Sequence, residues 1–418
     1  MNNGLNNNNN FDVVIIGAGM VGLSLANQLI EREITHNILV IEKEKQIGMH
    51  SSGRNSGVLH AGLYYPPNSL KAKVCVSGSR RLRNWVKERN LQINICGKVI
   101  LPQKKSLDSQ LDLLASRGKA NGAKTEFWDN KKLKENFPLL KSVTGRSLWS
   151  PNTAVVKPSE ILENLKEELI SNGVQVLTNF QDYEIDINAK FIKRNKTDKY
   201  KFKYLFNCSG IFASQIAKEC LVQHQYSVIP FKGLYWKLNG IDLKNFNTNI
   251  YPVPDLNMPF LGVHFTPSFS GKSGEVENVF IGPTAILAFG KENYKGLENL
   301  EFLNFVNNSS KLLNLFFNNL GGIRKYAKEQ LFLSSKPFLT RAVKELIPVV
   351  NSGNINQSMK VGIRAQLFDL NKDKLVDDFL CINGQNSTHV LNAVSPAFTA
   401  SFALADLIID NSLVSKIV

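Results

Sequence analysis

The first hydrophobic run of the chain is short and rich in β-branched side chains. Residues 11–16 (FDVVII) follow a polar, Asn-rich stretch and predict a strand that is buried in a parallel sheet. Residues 23–33 then carry apolar side chains at helical spacing, and residues 37–41 (NILVI) predict a second strand. These patterns predict a strand–helix–strand unit near the start of the sequence.

The turn between the first predicted strand and the helix contains three regularly spaced glycines. It includes Gly17, Gly19 and Gly22, and Glu42 ends the second strand 20 residues after Gly22. The first glycine permits a tight turn, the second lets a pyrophosphate approach the backbone, and the third lets helix and strand pack closely. Glu42 can accept hydrogen bonds from ribose hydroxyls, which disfavours NADP with its 2′-phosphate. The motif predicts dinucleotide binding and leaves FAD and NAD as alternatives.

The rest of the pattern mixes helical and strand-like segments. Helices are predicted at residues 70–89, 107–121, 159–172, 211–220 and 398–409, and strands at 93–101, 174–177, 202–206, 233–238, 260–265, 279–281 and 388–392. After residue 228 strand-like runs alternate with loops, which is typical of a mostly antiparallel layer.

The predicted fold class is α/β. We expect a Rossmann-like nucleotide-binding domain, with a parallel sheet flanked by helices, and an inserted α+β substrate domain on a mostly antiparallel sheet. The predicted division is a disordered tail at residues 1–10, a discontinuous nucleotide-binding domain at 11–80, 150–228 and 341–418, and a substrate domain at 81–149 and 229–340.

Composition narrows the class of protein. The 418 residues are 43% hydrophobic and 20% charged, which fits a globular chain and excludes a collagen-like or disordered one. The five cysteines form neither a CxxC pair nor a zinc spacing; they are Cys75, Cys96, Cys208, Cys220 and Cys381. We therefore expect reduced thiols, a reducing compartment and no metal site.

The net charge of +15 suits an acidic substrate, an anionic cofactor or an anionic membrane surface. The lysines are spread along the chain and no nucleic-acid-binding motif occurs, so we expect no nucleic-acid partner. A binding protein that uses the charge without catalysis stays an alternative. We find no signal peptide and no spanning stretch. The expected location is cytoplasmic, with peripheral attachment to the inner membrane face left open and a mitochondrial location as the alternative.

Seven segments resemble the L-2-hydroxyglutarate dehydrogenase/oxidase family, within the D-amino-acid-oxidase type of FAD oxidoreductases. The segment at 250–266 is the most specific, because generic FAD enzymes lack it. Near the end of the chain Val394 and Phe398 depart from the usual family pattern. The segments are residues 50–65, 69–78, 230–233, 250–266, 282–289, 362–366 and 389–396.

The resemblance implies that FAD takes a hydride from C2 of L-2-hydroxyglutarate, a 2-hydroxy dicarboxylate, to give 2-oxoglutarate. The alternative is a related FAD oxidoreductase that acts on another 2-hydroxy acid, an amino acid or glycerol 3-phosphate. Oxygen and a membrane quinone are both open as the electron acceptor.

The glycine motif and the resemblance together imply a set of FAD-binding residues. Ser395 is expected to cap the last helix, with Pro396 as its first residue, so that amides there face the reduced flavin. The set is Gly17, Gly19, Gly22, Glu42, Lys43, Ser51, Ser52, Asn55, Val176, Ser209, Gly210, Ser395, Pro396 and Ala397.

The chemistry also requires a base for the hydroxyl proton and partners for the carboxylates. His60 and His264 are the candidate bases, since histidine titrates near neutrality, and the sequence does not decide between them. Arg364 is the candidate carboxylate partner and catalytic cation, because guanidinium binds carboxylate with two hydrogen bonds. The other candidates for substrate binding are Tyr64, Tyr65, Tyr251 and Ser395.

Overall fold

The computed structural model describes residues 9–254, 262–271, 274–319 and 323–418. The predicted tail at residues 1–10 and the predicted strand at 260–265 lie partly outside these ranges. The α-helices of the described residues are α1 (Met20–Glu31), α2 (Leu70–Glu88), α3 (Asp108–Ala120), α4 (Asn130–Asn136), α5 (Pro158–Ser171), α6 (Ala213–Glu219), α7 (Phe302–Phe317), α8 (Ile323–Leu333), α9 (Lys336–Leu346), α10 (Ala397–Asp410) and α11 (Val414–Ile417). Of these helices, none is long and apolar enough to cross a membrane.

The first sheet is built around the predicted N-terminal unit. Its strands are β1 (Asn10–Ile16), β2 (Ile38–Ile41), β9 (Gln175–Leu177), β10 (Glu184–Asp186), β11 (Phe191–Lys193), β12 (Lys199–Asn207), β20 (Leu380–Gly384) and β21 (Ser387–Asn392). β1 pairs in parallel with β2 and with β12, β9 extends the sheet beyond β2, and β21 joins β12, also in parallel. β10, β11 and β20 add antiparallel pairs at the edges. The Rossmann-like prediction is confirmed.

Both faces of β1 are covered, which explains its continuous hydrophobic run. Val13 and Ile15 pack into a core cluster with residues of α1, α2, α5 and α10. Val14 and Ile16 point to the opposite face and pack into a second cluster with residues of β2 and β12. Because successive side chains of a strand point to opposite faces, all four positions must be apolar.

The second sheet is mostly antiparallel, as the sequence predicts. Its strands are β5 (Lys98–Leu101), β6 (Glu126–Asp129), β7 (Arg146–Ser150), β13 (Tyr226–Leu238), β14 (Asn249–Pro252), β15 (Phe265–Ser270), β16 (Glu275–Ile281), β17 (Ile286–Leu287), β18 (Ile355–Asp369) and β19 (Lys374–Leu375). The pair β5–β14 is parallel, and the other described pairs are antiparallel. A small third sheet joins β3 (Val58–Leu59), β4 (Ile93–Asn94) and β8 (Ala154–Val156).

Two predicted domain boundaries are wrong. β18 pairs with β13 from Tyr226↔Asp369 to Leu238↔Ile355, so it belongs to the second sheet and not to the nucleotide-binding part at 341–418. α9 also packs into the second sheet's core cluster. The boundary at residue 80 would cut α2, whose later residues Leu82, Trp85 and Val86 pack with α10 in the first core cluster. Neither long-range pairing nor the partner of a helix face is visible in local periodicity.

Candidate active site

A cavity of about 600 Å³ is lined by residues of the first and second sheets and of the loops beside them. The first turn of α1 and the segment after β21 contribute one part of its lining, and β13 and β18 contribute another. Predicted site residues that line it are Gly19, Ser51, Ser52, Asn55, His60, Tyr64, Tyr65, Gly210, Tyr251, His264, Arg364, Ser395, Pro396 and Ala397. The structure therefore brings together most of the residues that the sequence singled out.

The other predicted cofactor residues lie outside the cavity lining. Gly17, Gly22 and Glu42 belong to the strand–helix–strand unit beside it, and Ser209 directly precedes the lining residue Gly210. Val176 pairs with Val40 between β9 and β2, so its expected backbone contact with adenine stays a prediction.

The three glycines of the first turn leave no room for side chains. A Cβ at Gly22 would overlap the carbonyl oxygen of Gly17, and a Cβ at Gly19 would lie 2.9 Å from Ser52 Oγ. Gly17 has a φ of +101°, and a Cβ there would lie 2.6 Å from the Cys208 carbonyl oxygen. The three glycine positions of the turn thus carry no side chains, as a pyrophosphate site requires, while the Ala18 and Met20 amides already donate to Glu42 and Ser52.

Glu42 lies at the end of β2 and faces the glycine turn. Its Oε2 accepts a hydrogen bond from the Ala18 amide at 3.1 Å, and its Oε1 accepts one from the Glu44 amide at 3.0 Å. A carboxylate oxygen can accept a further bond, so Glu42 keeps capacity for ribose hydroxyls.

Lys43 is placed differently from the sequence expectation. Its ammonium group forms ion pairs with Glu44 and Glu292, and it is not part of the cavity lining. Glu44, His50 and Glu292 lie close enough together to hold a cation, and the Lys43 ammonium already supplies positive charge to both carboxylates. The Lys43 side chain is therefore part of this network, and its expected contact with the cofactor stays a prediction.

The loop after β2 is held by the side chains that were expected to contact FAD. Ser52 Oγ accepts the Met20 amide at 2.9 Å, and Ser51 Oγ donates to the Ile363 carbonyl at 2.9 Å. Asn55 Nδ2 donates to the Ser52 carbonyl at 2.6 Å. These bonds fix the loop between α1 and β18, so that its backbone lines the cavity.

The last helix begins at Ala397, one residue after the Pro396 start that a Ser395 cap implies and one residue before the predicted range 398–409. α10 starts at Ala397 with Pro396 before it, and no side-chain cap is formed. Ser395 is therefore not the cap. The Ala397 amide donates to the Val394 carbonyl at 3.0 Å, so this amide, which was expected to face the flavin, is used within the turn. The α10 N-terminus still lines the cavity and directs its partial positive charge there.

The two candidate histidines line the same cavity and differ in their hydrogen bonding. His264 Nδ1 lies 2.8 Å from the Gly262 carbonyl oxygen, which can only accept, so Nδ1 carries the proton and Nε2 the lone pair. The His264 ring stacks on Tyr251 with ring centroids 4.2 Å apart. His60 Nδ1 is buried and has no hydrogen-bond partner among the described residues. The structure thus fixes one tautomer only at His264.

Both imidazoles are held in the neutral form at neutral pH. Burial, with Lys98 and His264 adding to it, lowers the pKa of His60 to about 3. Burial also lowers the pKa of His264 to about 4, against the hydrogen bond to Gly262 and with the charge of Lys98. A neutral imidazole is the form that accepts a proton.

Two of the cationic side chains in the cavity lining, Lys71 and Arg364, lie near each other. Arg364 in β18 lies opposite Phe231 of β13, and Lys71 in the first turn of α2 lines the same cavity. Burial, with the charge of Arg364 adding to it, lowers the pKa of Lys71 to about 8, while Asp378 and Asp377 oppose the shift. Two close cations suit a ligand with more than one carboxylate. Sequence reasoning missed Lys71, although it lies in a segment of the family resemblance.

The tyrosines of the lining stay protonated and are available as donors. Burial raises the pKa of Tyr64 and Tyr65 well above its usual range, and it does the same for Tyr251. Tyr64 Oη is buried without a hydrogen-bond partner in the part of the chain that the structure describes. An unpartnered buried hydroxyl beside a cavity indicates a polar ligand, because leaving such a group unpaired is costly.

Comparison with known proteins agrees with this site. The family described as FAD dependent oxidoreductase matches residues 12–411. The L-2-hydroxyglutarate dehydrogenase of Indibacter alkaliphilus is 34% identical over 413 residues, which cover 96% of this chain and 99% of that protein. The mitochondrial L-2-hydroxyglutarate dehydrogenase of Bos taurus is 31% identical, with 96% of this chain and 88% of that protein covered.

A solved structure supports the fold independently. The dithionite-reduced L-alpha-glycerophosphate oxidase of Mycoplasma pneumoniae with FAD bound matches with a TM-score of 0.73. It is 19% identical, and the match covers 97% of this chain and 95% of that chain. This likeness concerns the fold.

The chain belongs to the FAD dependent oxidoreductase family, and its cofactor is FAD. The residues at this site fit FAD. The side-chain-free turn at Gly17, Gly19 and Gly22 suits the pyrophosphate, and Glu42 suits the ribose. The cavity continues from Gly19 to the start of α10, and His60 and His264 belong to the same lining.

Proposed function

We propose that this FAD-dependent oxidoreductase oxidises L-2-hydroxyglutarate to 2-oxoglutarate. The observation that carries the proposal is similarity of 30–34% identity to L-2-hydroxyglutarate dehydrogenases over 94–96% of the chain, including those of Indibacter alkaliphilus and Escherichia coli. The cavity supplies the groups that such a substrate needs, namely neutral histidines, tyrosine hydroxyls and the cations Arg364 and Lys71. When bound, FAD supplies the acceptor for the hydride from C2.

Arg364 and Lys71 are proposed to orient the substrate. Arg364 and Lys71 bind carboxylate groups, and the guanidinium can do so through two parallel hydrogen bonds. Tyr64 and Tyr65, protonated and buried, donate hydrogen bonds to the carboxylate oxygens. These contacts hold C2 and its hydroxyl toward the histidines. A substrate with one carboxylate leaves one of these partners without a ligand atom.

His264 is the proposed base for the hydroxyl proton. Its Nδ1 is fixed by the Gly262 carbonyl, so Nε2 presents a lone pair without a change of tautomer. Stacking on Tyr251 holds the ring plane. His60 lacks such a partner among the described residues and is proposed to contact the substrate instead. The hydroxyl proton moves to His264 Nε2 as C2 loses the hydride, so the substrate leaves as the 2-oxo acid.

The proposed electron acceptor is a membrane quinone, reached from an anionic membrane surface. Phe302, Leu303 and Phe317 of α7 are 66%, 77% and 67% exposed, and Leu331 and Phe332 of α8 are exposed as well. Exposed apolar helices on a chain with a net charge of +15 favour contact with anionic lipid. The proposed location is the cytoplasmic face of the inner membrane.

Co-sedimentation with liposomes tests this surface. We expect binding to vesicles that contain anionic lipid, weaker binding to neutral vesicles, and loss of binding in a Leu303→Glu, Phe317→Glu double variant. Met359→Glu is the control, since Met359 is 86% exposed but lies on β18. Equal binding of all three proteins would refute the surface, and rapid flavin reoxidation by air without a quinone would refute the acceptor.

Anaerobic spectroscopy tests the reaction itself. Purified protein is mixed with L-2-hydroxyglutarate, its D-enantiomer, L-lactate, glycerol 3-phosphate or an L-amino acid, and the flavin absorbance is followed. We expect bleaching with L-2-hydroxyglutarate alone, with 2-oxoglutarate formed in equal amount. If another of these compounds bleaches the flavin instead, that compound's class is the substrate class of the enzyme. A protein that stays colourless after incubation with FAD, and binds acidic ligands without turnover, would instead be a binding protein.

A further inference from the structure

Lys98 is a fully buried lysine behind the tyrosines of the cavity. It lies in β5 and has 0% exposure. Its Nζ is 4.5 Å from the centre of the Tyr64 ring and 4.9 Å from the centre of the Tyr251 ring. Within residues 9–254, 262–271, 274–319 and 323–418, Nζ has no hydrogen-bond partner. The partly negative faces of these two rings are therefore the main groups that attract the ammonium charge.

An ammonium group in such a place is unfavourable for stability. Burial removes its hydration, and no described carboxylate lies within ion-pair distance to offset the loss. Two aromatic faces recover part of that loss through cation–π attraction, which is strongest where water is excluded. A methionine or leucine would fill the same space without the penalty. The lysine is thus not explained by packing alone.

Lys98 is linked to the histidines by contact and by charge. Tyr251, on one side of Nζ, stacks on the ring of His264, and Tyr64 lines the cavity on the other side. The positive charge of Lys98 also lowers the pKa of His60 and of His264, in both cases after the larger effect of burial. One side chain therefore acts on the position of one candidate base and on the charge of both.

We propose that Lys98 is a positioning residue of the active site, whose ammonium group fixes the Tyr64 and Tyr251 rings and places its positive charge near His60 and His264. The inference rests on the proposed oxidation of a 2-hydroxy acid, in which an uncharged imidazole takes the hydroxyl proton. Lys98 acts from behind the tyrosines and does not itself touch the cavity.

Other titratable groups surround this cluster. Burial lowers the pKa of Lys98 to about 7, and only a thiolate at Cys75 would oppose that shift. Burial raises the pKa of Cys75 to about 12, so this thiol stays protonated and carries no charge. A dianionic substrate in the cavity would favour the charged form of Lys98. The groups that face the cluster are Tyr64 and Tyr65 from the segment after β3, Lys71 and Cys75 from α2, Tyr251 from β14, Arg364 from β18, and His60 and His264 themselves.

The test is the substitution Lys98→Met, which removes the charge and keeps a side chain of similar volume. The matched control is Lys360→Met, because Lys360 Nζ also lies over two rings, 5.1 Å from Tyr235 and 4.7 Å from Phe280, and burial lowers its pKa to about 8. Histidine pKa values are measured by NMR on FAD-loaded protein labelled at the histidine ring carbons. His60→Gln and His264→Gln assign the two signals.

In Lys98→Met we expect the pKa of His264 and His60 to rise by roughly one unit, as for removal of a nearby like charge. The second-order rate constant of anaerobic flavin reduction falls at acid pH, and the midpoint of this fall should move to higher pH by the same amount. Lys360→Met should leave both unchanged. Unmoved histidine pKa values in Lys98→Met, or equal shifts in the two variants, would overturn the proposal.

Thermal unfolding separates positioning from a structural role. Because Lys98→Met removes a buried charge, we expect its Tm to be equal to or higher than that of the unmodified protein. A lower Tm with unmoved pKa values identifies a structural lysine and overturns the inference. If Lys98→Met does not fold, Lys98→Gln is measured by the same criteria. If L-2-hydroxyglutarate does not reduce the flavin at all, the proposed function fails, while the NMR titration still decides the role of Lys98.

Discussion

The nucleotide end and the substrate end of the cavity are built in different ways. The nucleotide end is built around one continuous stretch, β1 to Glu42, in which Gly19 lines the cavity and Gly17, Gly22 and Glu42 lie beside it. The substrate end consists of side chains that belong to separate segments, with His60 after β3, Tyr251 in β14, His264 before β15 and Arg364 in β18. The residues of the nucleotide end are near neighbours in the sequence, whereas those of the substrate end are brought together by tertiary contacts.

This difference determines how each end responds to substitution. A backbone site has no side chain to remove, and any added atom enters space that the chain itself occupies. A side-chain site loses one chemical group at a time while the fold around it persists. We therefore expect all-or-none effects at the nucleotide end and graded kinetic effects at the substrate end.

The largest effect is expected for Gly22→Ala at the nucleotide end. The new Cβ would overlap the Gly17 carbonyl oxygen, so the turn must open, at a cost of about 3 kcal/mol. We expect purified protein without bound flavin, measured by the ratio of absorbance at the flavin band to that of the protein. Gly145→Ala is the control, because nothing lies within 4 Å of a Cβ at that position, although its φ of +78° adds a backbone strain that the helical Gly22 does not have. Normal flavin content in Gly22→Ala would contradict the close-packed turn.

The next effect is expected for His264→Gln at the substrate end. Flavin content should be normal, and anaerobic flavin reduction should slow by roughly 10²- to 10⁴-fold because the base is lost. His60→Gln should slow the step less, and the exposed His36 provides a control in His36→Gln. Stopped-flow absorbance measures all three. If His60→Gln is the slower of the two site variants, the base is His60.

A smaller effect is expected for Arg364→Met. Loss of a charge-assisted contact should raise KM for L-2-hydroxyglutarate by roughly 10- to 150-fold, with a lesser change in kcat. Steady-state kinetics measure both constants, and Arg341→Met on the exposed surface of α9 is the control. A KM equal to that of the control would remove Arg364 from the substrate site.

The smallest effect concerns stability at low pH. His264 is neutral when folded, with a pKa of about 4 against 6.5 ordinarily, so the unfolded chain binds more protons below pH 6.5. Stability is therefore lost as the pH falls from 6.5 toward 4, by roughly 2 kcal/mol between pH 6.5 and 5 for this residue. Thermal melts at several pH values should show a smaller loss in His264→Gln than in the unmodified protein. Parallel curves for the two proteins would count against a buried neutral imidazole.

Several parts of the fold could be predicted because their signals are local. The alternating burial of Val13 to Ile16 on two faces leaves a continuous apolar run, and the helix α5 shows its apolar face in Ile161, Leu162, Leu165 and Leu169. The start of α10 was misplaced by one residue, since the choice of first helical residue depends on the turn before it.

Other parts could not be predicted, for physical reasons. The assignment of β18 to the second sheet depends on hydrogen bonds to β13, more than a hundred residues away. Lys98 was overlooked because a lysine in a strand ordinarily points to solvent, and its burial is decided by Tyr64 and Tyr251. The one local signal of this burial is that Lys98 is the first residue of the otherwise apolar run KVIL.

The sequence by itself determined the dinucleotide-binding unit, because the strand, the glycine turn, the helix and Glu42 interact with near neighbours in the chain. It also determined which residue types were candidates for the chemistry. Tertiary structure alone decided that His60, His264 and Arg364 share one cavity, that Lys43 is bound by two carboxylates instead, and that His264 has a fixed tautomer. Burial, proximity and hydrogen-bond partners are properties of the packed chain, and no periodicity along the sequence encodes them.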